Sequence, residues 1–474
     1  MESTRCAARP DFGQDHFGAA NLGHKKRNEC LVRVANTLMR HPGGTLPDKL
    51  QSPADYQAMI RLANRSEVSP APAKALQPHI DRTFALLRQS DGPRLLIHDG
   101  AELDFTGLHS IATLGSIGNG HNRGYLCHNS LAVDPRRREV IGLVGQILHT
   151  RVPVPRGEGV KAKRERASRE SRLWTRAIED LPAAPEGQLW VDVADRGADL
   201  FEFLASEDAH GRYYVVRACS SRSIGVGHGA DPKAAALHPY ARSLAECGRR
   251  QMEIADGVGG QRQATVAMAW AAIQLTPPHV RRGLYEPRPL LAWLIRVWEV
   301  DAPAGAAPLE WVLLTNVPAA GAADAWERVN WYECRWIVEE FHKAQKTGCG
   351  IEEMQFTTEA ALQPMIAVLS VVALQLLNLR AASRQEDAAT RRATEVVHPD
   401  YVAVLSAWRW KEVRLESSVH DFFFALARLG GCQNRKRDRR PGWLVLWRGW
   451  MKLQSMVEGA AAIGVTGYKI RGQT

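Results

Sequence analysis

The segment Trp331-Tyr-Glu-Cys-Arg-Trp-Ile-Val-Glu-Glu-Phe-His-Lys-Ala-Gln-Lys346 constrains this chain more than any other stretch. At roughly 100° per residue on a helix, Tyr332, Arg335, Glu339 and Lys346 fall within about 60° of one another. Ile337, Phe341 and Ala344 fall on the opposite side. The segment therefore predicts one amphipathic helix, with an apolar face for a core and a phenol, two cations and an acid along the other face. Such a stripe is by default a solvated surface with Arg335 and Glu339 paired at i,i+4. It becomes a candidate site only if other chemistry-bearing residues meet it.

Asp99 and Asp195 are the residues that could do so. Leu95-Leu96-Ile97 reads as a short buried strand ending at Asp99-Gly100, and Leu189 to Ala194 as a second strand stopping at Asp195. An acid at a strand end can project into a cleft at the sheet edge. Either one alone is equally well explained as a turn or N-cap residue. Asp192 and Asp199 are decoys of that type, and Asp192, at odd offset from Asp195, points to the other face. Two strand-end aspartates plus a helix glutamate can place oxygen ligands around two divalent cations. That pair activates an attacking hydroxyl and stabilises the leaving oxygen of an in-line phosphoryl transfer.

The rest of the chain falls into three stretches. Residues 1–72 read as a small helical unit, in which Leu31, Val34, Ala35 and Leu38 recur at helical spacing and Lys25, Lys26, Arg27 and Arg33 leave basic side chains available. Ser52-Pro53 offers an N-cap and a first-turn proline for a second helix bearing Arg61 and Arg65. Residues 73–210 read as mixed α/β, with further strands around 124–133 and 139–148. Residues 156–172 are expected to form an exposed loop, with seven Lys+Arg and no large apolar residue except Val160. Residues 211–316 are β-rich, and the chain is expected to be helical from Trp331 almost to its end. Trp443, Trp447 and Trp450, at i, i+4 and i+7, form an apolar stripe for a core or a dimer contact, with core the simpler reading.

Charge narrows the partners. The chain carries 61 Lys+Arg against 51 Asp+Glu, a formal net charge of +10. Of that excess, +8 lies in residues 390–474, where Arg435 to Arg440 place five basic residues in six positions. This balance points to a polyanion. The eight cysteines form no Cys-x-x-Cys pair and no zinc-ligand spacing, so reduced thiols and no zinc site are expected. The apolar run Met365 to Leu379 is interrupted by Ser370, Gln375 and Asn378 and reads as a buried helix; no membrane partner is expected. The N-terminus shows no apolar signal-peptide core, and a cytoplasmic protein is expected.

The string Tyr332-x2-Arg335-x3-Glu339-x6-Lys346 resembles the Tyr-Arg-Glu-Lys signature of DDE transposases of the insertion-sequence-four family. Glu340-Phe-His-Lys-Ala344, Lys346-Thr-Gly-Cys-Gly350, Asp195-Arg-Gly-Ala-Asp199, Tyr214-Val-Val-Arg217 and Leu114-Gly-Ser-Ile117 extend the likeness along nearly the whole chain. The resemblance implies an α/β fold with an RNase H-like catalytic core over residues 73–380, its β-rich insertion at about 211–316. A helical DNA-binding domain (1–72) and a helical dimerisation and DNA-contact domain (381–474) would flank it. It implies that Asp99, Asp195 and Glu339 bind Mg2+, with Mn2+ able to substitute. It implies that Tyr332, Arg335, Lys346, Lys343 and Arg217 contact DNA, that Trp311 stacks on a base flipped during hairpin formation, and that Lys25, Lys26, Arg27, Arg61 and Arg65 help recognise the ends. The implied activity is cut-and-paste transposition by a homodimer that synapses two terminal inverted repeats and then joins them to target DNA, in a bacterial, nucleoid-associated setting. Where relatives follow the first Asp with threonines, this chain has Gly100-Ala101, which leaves Asp104 as the nearest competitor of Asp99. Two alternatives stay open: a catalytically silent, transposase-derived DNA-binding protein or inhibitor, and another metal nuclease on the same fold.

Overall fold

The computed structural model describes residues 12–50, 52–64, 72–154, 157–159, 162, 165–255, 261–278, 285–433 and 441–466. The framework over these residues is one mixed sheet. Its strands are β1 (Arg94–Asp104), β2 (Gly115–Ile117), β3 (Asn122–Asp134), β4 (Glu139–His149), β5 (Trp190–Ala194), β6 (Tyr213–Arg217), β7 (Ser223–Val226), β8 (Lys233–Ala236), β9 (Gly248–Ala255), β10 (Gln261–Leu275), β11 (Leu290–Glu299) and β12 (Glu310–Thr315). β1 is antiparallel to β3 on one side and parallel to β5 on the other, and β6 runs parallel to β5. β4 and β2 both pair with β3. Beyond β6 the sheet continues antiparallel through β12, β11 and β10, and then to β7 and β8, while β9 also pairs with β10.

Strands covered on both faces need apolar residues in both alternating sets. Leu95 and Ile97 of β1, Val191 and Val193 of β5 and Val215 of β6 join one core, while Leu96 and Trp190 join another and Ala194, Tyr214 and Val216 a third. The same alternation puts Asp99 and Asp195 on the side of the first, largest core.

One expectation is corrected. β1 does not end at Asp99 but runs on to Asp104, because β3 keeps pairing with it through Asp99↔Asn129 to Asp104↔Gly124 after β5 has stopped. The β-rich stretch expected at about 211–316 holds β6 to β12, which extend the same sheet. The helix Pro72–Arg88 begins at the expected boundary at 72 and packs against β4 and the helix Glu359–Ala382. The strands at 122–134 and 139–149 agree with the sequence reading, as does the cap of the helix Pro53–Ala63, where Ser52 accepts from the Asp55 N–H at 3.3 Å.

The helix Glu359–Ala382 is long and apolar enough to cross a membrane, yet 89% of its most apolar window is buried inside the protein. The three polar residues that interrupt its apolar run are its anchors. Asn378 donates to the Val140 carbonyl at 2.9 Å and accepts from the Val140 N–H at 3.2 Å. Ser370 accepts from Gln345 and Gln146, and Gln375 meets His16 of the short helix Phe12–Phe17 at 3.1 Å. Each satisfied polar group fixes the helix's rotation and height as apolar packing alone does not.

The C-terminal helices Pro399–Trp410, Val419–Leu429 and Trp443–Thr466 pack on one another and on this central helix. Trp447 and Trp450 are buried, with the Trp450 ring stacked on Tyr401 at 4.9 Å, so the stripe is core over these residues. Gly430 and Gly449 let two of these helices touch: a Cβ at either would stand 2.0 Å from a carbonyl of the other helix. The basic run Arg435–Arg440 lies outside the described residues. Part of 156–172 does too, but Arg169 and Arg172 both pair with Glu202, so that end of the expected loop is tied down.

Candidate functional site

β1 and β5 run parallel, and their last registered pair is His98↔Ala194. The next residue on each is an aspartate, so Asp99 and Asp195 leave the carboxyl ends of neighbouring strands side by side. Their backbones are set by short bonds: Asp99 accepts from the Gly100 N–H at 2.8 Å, and Asp195 caps a 3-10 turn by accepting from the Gly197 N–H at 2.7 Å. Asp192, one face away, is fully buried and accepts from His98 at 2.7 Å and from Arg212. Asp199 pairs with Arg222 and accepts from the N–H groups of Cys219 and Ser220. Both decoys are structural. Asp104, the competitor of Asp99, is likewise occupied, accepting from Thr106 and Asn122.

The third acid arrives on the helix Trp336–Lys343. Arg335, at its N-terminus, reaches Asp99 at 3.4 Å through one guanidinium nitrogen and Glu339 at 2.6 Å through another. The guanidinium therefore bridges the first and third acids. The electrostatics agree. Burial pushes the Asp99 carboxyl up to about 6, the Asp195 charge adds to the rise and Glu339 does so more weakly, while Arg335 and the Gly100 N–H pull it down. Three carboxyl groups from distant parts of the sequence thus share one field. Their oxygen chemistry suits a hard divalent cation. Arg335 now fills that role for two of them, and among the described residues no three His, Cys, Asp or Glu side chains stand close enough together to hold one ion.

The single helix expected over 331–346 is instead three pieces. Ala322–Glu333 ends, the chain turns at Cys334 and Arg335, Trp336–Lys343 follows, and Ala344–Gly348 widens into a π-turn. Tertiary contacts override the helical period. Tyr332 is 3% exposed, its ring edge-on to Trp311 at 5.0 Å and its hydroxyl hydrogen-bonded to Arg217. The π-turn is held by Gln345, which donates to Ser370 at 2.8 Å and accepts from Asn129, the residue registered with Asp99. Lys346 pairs with Glu352 at 3.0 Å.

The other expected contacts are placed as follows. Trp311, on β12, is 6% exposed and packed in the core. Arg217 also donates to the Glu310 carbonyl at 3.0 Å. Lys343 is exposed. Lys25 and Lys26 lie exposed at the start of the helix Lys25–Arg40, Arg27 donates to the Leu22 carbonyl, and Arg61 is exposed on the next long helix. Arg33 pairs with Asp55 at 2.9 Å and ties the two helices together. Arg65 lies outside the described residues. Sequence reading missed the buried network of Asn129, Gln146, Gln345 and Ser370 beneath the acids. Its one available signal was a polar residue at an inward-facing position of each of two apolar strands.

The helices bearing Lys25, Lys26, Arg27 and Arg61 also carry the link to known proteins: residues 10–68 match the family model described as transposase DNA-binding, so the N-terminal unit is a transposase DNA-binding domain and DNA is its partner.

Proposed function

We propose that this chain is a cut-and-paste DNA transposase of the DDE type, similar to the insertion-sequence-four family and within it to the transposase of transposon five. The observation that carries this reading is the convergence of Asp99, Asp195, Glu339 and Arg335 in a chain whose N-terminal unit matches a transposase DNA-binding domain. The strand order β4-β3-β1-β5-β6, with its last three members parallel, supports an RNase H-like core. Both aspartates then lie at the carboxyl ends of neighbouring parallel strands, where such sheets open a crevice.

Asp99, Asp195 and Glu339 would hold Mg2+, or Mn2+ in its place. Bound there, the metal supplies a Lewis acid that activates the attacking hydroxyl and stabilises the leaving oxygen. The chain's own residues position the DNA. Arg335 offers a bidentate fork to a phosphate. Lys346 and Lys343 add point charges, and Arg217 and Tyr332 brace one another beside Asp195. Exposed Lys25, Lys26 and Arg61 serve end recognition. A homodimer in the cytoplasm would synapse two inverted repeats, nick one strand, and use the freed 3′-hydroxyl to attack the opposite strand as a hairpin and later the target DNA.

A second reading is a silent, transposase-derived end-binding protein. The Arg335 guanidinium between Asp99 and Glu339 favours it, since in that arrangement the acids already have a cation. One assay separates the two. Purified protein, Mg2+ and duplex DNA bearing the element's own ends should give cutting at the ends, and Glu339→Ala should abolish cutting while end binding persists. Binding without cutting by the unmodified protein supports the silent reading, cutting without end preference supports a general nuclease, and cutting retained in Glu339→Ala refutes the acid assignment.

A further inference from the structure

We propose that Arg196 contacts the DNA phosphate at the cleavage point and completes a row of guanidinium groups, Arg196, Arg217 and Arg335, beside the acids. The proposal rests on the transposase reading above. β5 and β6 are parallel and their last registered pair is Ala194↔Val216. The next residues, Asp195 and Arg217, therefore stand side by side, and Arg196 follows at once. The turn that presents it is fixed on both sides: Asp195 accepts from the Gly197 N–H, and the Cys219 thiol donates to the Arg196 carbonyl at 3.5 Å.

The three guanidinium groups differ in what they already hold. Arg335 is committed to Asp99 and Glu339, and Arg217 to Tyr332 and the Glu310 carbonyl. Arg196 is exposed and makes no ion pair or side-chain hydrogen bond among the described residues. Arg196 and Arg335 are also close enough for their like charges to act on Arg217, adding to the burial that lowers its pKa. Asp99 and Glu339 already balance Arg335, which leaves the exposed Arg196 as the guanidinium open to an anion. A phosphate diester fits, because one oxygen pair can accept two parallel N–H donors from an arginine. Arg196 can engage it without giving up an existing partner, which makes it the first of the three to dock.

The test is binding of two DNA duplexes, measured by fluorescence anisotropy in EDTA: an end that extends through the cut, and the same end truncated before it. Arg196→Ala should weaken binding of the full end by about 5–10-fold and reduce the slope of log affinity against log salt by about one. The truncated end should bind as it does to the unmodified protein, and the thermal midpoint should not move. Arg196→Lys should keep the salt slope. Unchanged binding of the full end overturns the proposal, and so does an equal loss on both duplexes. If instead Glu339→Ala still cuts DNA, the acid assignment fails while the anisotropy result stands by itself.

Discussion

Asp99→Asn is expected to make the metal-free protein more stable at neutral pH by about 1–2 kcal/mol and to lower end cleavage by at least about a thousandfold. The two effects share one cause. The Asp99 carboxyl is 17% exposed and is raised from the ordinary aspartate value of 3.8 to about 6, first by burial and then by the Asp195 charge. Between those two values the folded protein holds the proton more tightly than the unfolded chain. Stability present below about pH 4 is therefore lost as pH rises to 6, and stays lost above it. Two units correspond to about 3 kcal/mol at most. An asparagine recovers part of this and leaves Arg335 paired with Glu339 alone. Urea midpoints of the two proteins should coincide below about pH 4 and separate as pH rises to 6.5, with the variant the more stable. A less stable variant at neutral pH would mean that Arg335 outweighs burial at Asp99. The acid is retained at a cost to the resting fold, as expected of a functional group.

The second large effect is acid unfolding. His16, His79, His128 and His342 are buried, and burial is the main cause holding each well below the ordinary imidazole value, to about 3 for the last three. His16 and His79 face each other through their Nδ1 atoms at 2.8 Å, and His79 Nε2 accepts from the Leu143 N–H at 2.9 Å. That chain of bonds requires a neutral His79. Below about pH 6.5 the unfolded chain takes up protons that the folded protein refuses, so stability present above 6.5 is lost as pH falls. Four such groups give a limiting slope of about 5 kcal/mol per pH unit. The raised carboxyls of Asp99 and Glu207 run in the opposite sense and offset about half of it. The urea midpoint should therefore fall steeply between pH 6 and 5, and His79→Gln should flatten that slope by about one proton. A flat profile over this range would show that these rings are not buried neutral.

Much of the site was legible because its signals are local. Short apolar runs ending in an acid located Asp99 and Asp195, and i,i+4 spacing located the Arg335–Glu339 pair. Parity along β5 correctly set Asp192 aside. What escaped depends on contacts between distant residues. β1 outruns its own apolar run because β3 templates it, and no local pattern in residues 100–104 says so. The helix at 331–346 breaks because Tyr332 is drawn into a pocket beside Trp311 and Gln345 is claimed by Asn129 and Ser370, more than 200 and 20 residues away respectively. A helical wheel assumes a uniform period, and buried polar partners override it. Arg196 escaped for the opposite reason: beside an aspartate it looks like one more solvated charge until the register places Arg217 next to it.

The central claim is that Asp99, Asp195 and Glu339 jointly hold a divalent metal once DNA engages Arg335. The most direct measurement is Mn2+ binding, followed by electron paramagnetic resonance, in the complex with an uncut transposon end. The unmodified protein should show saturable Mn2+ binding in that complex, and Asp195→Asn should lose it while still holding the DNA. Equal Mn2+ binding by the two proteins would contradict the account.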